Sequence, residues 1–77
     1  MTLDQAVTGW GTLTESQAKR LMGAADRREK ALARIWDSSG NDGDESAWRA
    51  SFALWENLRV LALSGTRVAN PLVMYHS

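Results

Sequence analysis

A chain of 77 residues with no cysteine, one histidine and four tryptophans is expected to fold as a single small domain that no disulfide staples and that cysteine–histidine metal sites do not support. Nine basic and nine acidic side chains cancel to a formal net charge of zero, so no overall field would draw the chain to nucleic acid or an anionic membrane. The opening Met1-Thr2-Leu3-Asp4-Gln5 has neither a basic start nor an apolar run, and no segment reaches the ~20 apolar residues of a membrane span; the expectation is a cytoplasmic protein. Arginine outnumbers lysine seven to two among many alanines, a usage typical of GC-rich bacterial or phage genomes.

The first element is marked by Thr2-x-x-Gln5, the spacing of a capping box, which predicts a short helix over residues 3–8 before Gly9 and Gly11 interrupt it. A second capping box, Thr14-x-x-Gln17, follows, with Leu13 and Ala18 at the positions of a hydrophobic staple. It opens a long helix predicted over about 15–36, in which Gly23 is the one weak point. Taken at 100° per residue, Ala18, Leu21, Met22, Ala25, Leu32, Ile35 and Trp36 gather into one apolar stripe. Arg20, Arg27, Lys30 and Arg34 fall on the opposite side, and residues 15–36 carry six basic and three acidic side chains.

Residues 37–44 read Asp-Ser-Ser-Gly-Asn-Asp-Gly-Asp, which predicts a solvated acidic loop with Asp42 or Asp44 capping the next helix. That helix is expected over about 45–64, stopped by glycine at Gly65. Two helices of roughly 33 and 29 Å, at 1.5 Å per residue, joined by a short polar loop predict an antiparallel hairpin. Asn70-Pro71 pairs an N-cap type with proline, so Leu72 to Tyr75 are expected to form one last helical turn, with a short strand as the other option; the segment spans 66–77. The fold class is therefore all-α: an antiparallel hairpin of two long helices with short terminal helical segments, able to complete a four-helix bundle as a dimer. A helical hairpin with a tryptophan at its bend is similar in outline to the small secreted proteins that carry a Trp-x-Gly turn. The bend Trp36-Asp37-Ser38-Ser39-Gly40 lacks that spacing, and the likeness implies nothing further for this chain.

The second long helix is apolar over too much of its circumference for one neighbour. Ala47, Leu54, Leu58 and Leu61 make an aliphatic stripe; Trp48, Phe52, Trp55 and Leu63 make another about 100° around, with Arg59 set within it. The first long helix can cover one stripe. The other needs the terminal segments, with Trp10, Leu13, Val68, Leu72, Val73 and Tyr75, or a second protein. If the tails cover it, the aromatics are core. If they do not, Trp48, Phe52, Trp55 and Arg59 are a protein-binding surface, since tryptophan and arginine dominate interface energetics. The partner would then be a second copy, as a homo-oligomer, or another protein.

Arg20, Arg27, Lys30 and Arg34 offer an alternative, contact with nucleic acid or an acidic partner, set against a solvated helix face with local ion pairs. The acidic run fails as an EF-hand calcium loop. With Asp37 first, the sixth place holds Asp42 where glycine is needed and the twelfth holds Trp48 in place of a bidentate glutamate. No nucleophile–base pair or phosphate loop is visible, so the chain is expected to be non-catalytic, with no metal or other cofactor and no small-molecule substrate. Glu29 lies beside the apolar stripe and is expected to pair with an arginine across the hairpin, Arg59 being the candidate.

Overall fold

The computed structural model describes residues 1–73. Helix α1 spans Leu3–Thr8, a single 3-10 turn spans Trp10–Thr12, and two long helices follow, α2 over Glu15–Ser39 and α3 over Asp42–Ser64. Both capping boxes form. Thr2 Oγ1 accepts from Gln5 N at 3.1 Å while Gln5 Oε1 accepts from Thr2 N at 2.8 Å. Thr14 and Gln17 repeat the exchange at 3.1 and 2.9 Å. Each box satisfies two donors that the first turn of a helix would otherwise leave unpaired.

The acidic stretch 37–44 is not a loop. Asp37, Ser38 and Ser39 extend α2 by almost a turn, and Asp42 to Asp44 begin α3, so only Gly40 and Asn41 connect the two. Polar sequence at a bend is equally compatible with exposed helix ends, and carboxylates favour the positive end of a helix. Gly40 supplies the left-handed conformation, φ 63°, that turns the chain out of α2, and its N–H donates to Trp36 O at 2.8 Å. The N-cap of α3 is Asn41, and neither Asp42 nor Asp44: its Oδ1 accepts from Gly43 N at 2.7 Å. Ser39 Oγ donates to Asp44 Oδ2 at 2.6 Å, tying the two helix ends together.

Helices α2 and α3 pack along their length as an antiparallel hairpin. At its open end Gly65, φ 73°, stops α3 and donates to Leu61 O at 3.0 Å. The left-handed conformation is what selects glycine at Gly65, since the nearest atom to a Cβ there, Glu15 Oε1 of α2, is the tip of an exposed side chain that can swing away. The core joins Leu3 and Ala6 of α1, Trp10, Leu13, Ala18, Leu21 and Ala25 to Leu54, Leu58, Leu61 and Ala62 of α3. Leu13 and Ala18, the expected staple, are both buried. The expected apolar stripe of α2 is sealed only at Ala18, Leu21 and Ala25: Met22, Leu32 and Trp36 are half-buried, and Ile35 is 50% exposed. On α3, Ala47 is exposed and Leu63 is 73% exposed, while Ser51, Ala53 and Asn57 are buried beside the aliphatic stripe.

The two terminal segments are stitched to each other across the open end. Trp10 Nε1 donates to Val68 O at 2.7 Å, and the Arg67 guanidinium donates in return to Trp10 O and Leu13 O. Asn57, 1% exposed, donates from Nδ2 to Pro71 O at 2.8 Å and to Val73 O at 2.9 Å. These bonds take carbonyls that a helical turn would direct along its own axis, and residues 70–73 form a turn in place of the expected helix start. Asn70 Oδ1 accepts from Leu72 N at 2.9 Å, and Asn70 O from Val73 N at 3.2 Å. Tyr75 lies outside the described residues. Among the described residues no helix is long and apolar enough to cross a membrane.

Candidate functional site

Residues 48, 52, 55 and 59 follow one another at spacings of four, three and four, which places them on one face of α3. The structure makes that face a continuous aromatic ladder. Trp48 and Phe52 have ring centroids 5.5 Å apart and Phe52 and Trp55 5.8 Å apart. The Arg59 guanidinium carbon lies 6.0 Å from the Trp55 ring, at the outer range of a cation–π contact. Trp48, Phe52 and Trp55 are half-buried and Arg59 is exposed. These four expected residues therefore come together.

A fifth member was not expected. Trp36 of α2 stacks on Trp48 with centroids 5.1 Å apart and an interplanar angle of 28°, extending the ladder across the bend. The sequence assigned Trp36 to the α2 stripe that packs on α3; the two-residue connection is what returns α3 close enough for Trp48 to meet it. Had 37–44 been a loop, this pairing would have no fixed geometry. The signal available in the sequence was that Trp36 and Trp48 flank Gly40-Asn41 within about two helical turns on either side.

Glu29 completes the site and corrects an expectation. It does not pair with Arg59; its Oε1 accepts from Trp48 Nε1 at 2.8 Å. Arg59 is farther up α3, engaged with Trp55. Two shallow depressions flank the ladder. One, of about 260 Å³, is lined by Lys19, Met22, Trp55, Arg59, Ala62 and Leu63; the other, of about 340 Å³, by Glu29, Ala33, Arg34, Trp36, Asp37 and Trp48. The site thus offers apolar area edged by hydrogen-bonding and charged groups, which is the chemistry of contact.

The terminal segments cover the other side of α3. Leu3, Ala6, Trp10 and Leu13 belong to the core built on Leu54, Leu58 and Leu61, with Val68 packed against it. Leu72 and Val73, also counted on for cover, are 43% and 55% exposed.

On the basic side of α2, Arg20, Arg27 and Arg34 are exposed as expected. Lys30 is not free, since its Nζ lies 3.0 Å from Asp26 Oδ2. Arg28 reaches Asp4 of α1 at 3.4 Å. The acidic residues at the bend sit on helix ends, and no group of three histidine, cysteine or acidic side chains suited to a metal ion occurs among the described residues. The chain matches no known protein-family model, no curated protein and no solved structure.

Proposed function

We propose that this chain is a small non-catalytic protein–protein interaction or assembly protein, and that it docks through the face formed by Trp48, Phe52, Trp55 and Arg59 together with Trp36. The observation that carries this reading is where the chain spends its bulk. Its sealed core is rich in small residues, with Ala6, Ala18, Ala25, Ala53 and Ala62 all buried, while the ladder's three tryptophans and one phenylalanine stand half open. Large rigid aromatics and arginine at a partly hydrated surface are the residue types from which interface hot spots are made.

The test replaces Trp55 by alanine and reads association by light scattering and by photo-crosslinking from a reactive group at Leu63, which is exposed beside the ladder. Trp55→Ala should weaken association by about 30-fold or more, the scale of a hot-spot truncation, with helicity retained in circular dichroism. Unchanged association and unchanged adducts from Leu63 would make the ladder ordinary packing. A nucleic-acid role for Arg20, Arg27 and Arg34 draws less support, because Lys30 is engaged by Asp26 and the formal net charge is zero. That role requires duplex binding that falls steeply with salt.

A further inference from the structure

We infer that the partner fitting the aromatic ladder is a second copy of this chain, laid antiparallel across a two-fold axis that passes between Phe52 and Trp55. This rests on the docking reading above and adds the identity and orientation of the partner. The first argument is charge. At the Trp55 end the ladder is flanked by Lys19 and Arg59, with Glu15 and Glu56 near them on the same two helices, and at the Trp36–Trp48 end by Glu29 and Asp37, with Arg34 the one cation lining that depression. The nearby Asp26 and Glu45 are already paired, with Lys30 and Arg49. A two-fold axis through the middle of the face brings Lys19 and Arg59 of each copy over Glu29 and Asp37 of the other. A parallel arrangement would set like charges together.

The second argument is size. Two helices side by side are ~20 Å wide, and the molecule is 36 Å long, so the whole hairpin face has a footprint of about 700 Å², the most that a second copy laid on it would cover and of the order of the ~800 Å² that each partner contributes to a standard interface. The third is the lean core. A domain this small gains little from its own interior, and here Trp10 is the one aromatic side chain in the buried core, the rest being leucines and alanines. Closing the ladder against its own copy would bury the bulk that the monomer leaves at its rim and give a four-helix core.

Light scattering from about 1 µM to about 1 mM protein, with sedimentation equilibrium for the dissociation constant, tests this on the full chain. Wild type should form a dimer that weakens with added salt. Lys19→Glu and Asp37→Lys alter exposed side chains outside the core, and circular dichroism verifies that both variants stay helical. Because each substitution occurs twice per dimer, either alone should weaken dimerisation about tenfold, and the double variant should return to within about threefold of wild type. A wild type that stays monomeric throughout overturns the second copy as partner, while adducts from Leu63 to some other protein would leave the docking reading standing. A dimer in which the double variant is no better than the singles overturns the antiparallel register. A dimer indifferent to Trp55→Ala as well as to both charge changes overturns the docking reading itself.

Discussion

Leu58 and Trp55 sit one turn apart on α3 and meet different fates. Leu58 belongs to the core cluster that also holds Leu21 and Ala25 of α2 and Ala6, Trp10 and Leu13 of the amino-terminal elements, and is 0% exposed. Trp55, with far more apolar surface to hide, is left half open between Met22 and Arg59. The terminal segments could have been laid over either side of α3, and they are fastened to the aliphatic side by directional bonds, from Trp10 to Val68, from Arg67 to Trp10 and Leu13, and from Asn57 to Pro71 and Val73. In this molecule hydrophobic bulk does not decide which face is sealed; the polar groups that can bind a returning strand of backbone do. On the proposed docking reading, stability and contact are divided between two faces of one helix, with Trp55 at the border, since it packs against the core with one side and is open on the other.

The sharpest separation comes from Leu58→Ala. The leucine is fully enclosed, and truncation should lower stability by about 2–5 kcal/mol, against a total margin of about 3–5 kcal/mol for a core of this size. Chemical denaturation should show a protein largely unfolded without denaturant, whereas Trp55→Ala should keep most of its helicity and lose association. Equal loss of stability in the two variants would erase the distinction between the faces.

The next effect belongs to the fastening. Asn57→Ala deletes the donor held by Pro71 O and Val73 O and should lower stability by about 1–3 kcal/mol. Amide exchange should then speed up first at Val73, whose N–H bonds to Asn70 O, and in the Arg67–Val68 segment, with α2 and α3 less affected. A uniform loss of protection would mean that the tail is part of one cooperative core and no separate cover.

The amino-acid sequence made the helices and both capping boxes legible, because caps and apolar periodicity act within a few residues. It also placed Trp48, Phe52, Trp55 and Arg59 on one face, a matter of spacing alone. It misplaced the bend, since Asp, Ser, Asn and Gly favour helix ends as much as loops and nothing local distinguishes an eight-residue loop from two frayed polar turns. Trp36 was missed as a ladder member for the same reason, its partner being defined by the length of the connection. Asn57 gave no signal either. A polar residue amid aliphatic ones reads as a solvated helix position, and its role depends on a backbone segment more than ten residues away returning to it.

The smallest expected effect is also the most diagnostic of where the sealed face ends. Trp48→Phe keeps an aromatic ring between Trp36 and Phe52 and removes only the indole N–H that Glu29 Oε1 accepts. Both residues are half-buried, so water can reach the freed carboxylate, and the loss should stay below about 1 kcal/mol by denaturant midpoint. Water replaces a lost donor cheaply at a rim and not at all in a core. A penalty as large as that of Asn57→Ala would therefore place Glu29 and Trp48 inside the sealed region and shrink the open face to Phe52, Trp55 and Arg59. A small penalty would keep the bend end of the ladder wet, with the Glu29 carboxylate still available to meet a cation on whatever docks there.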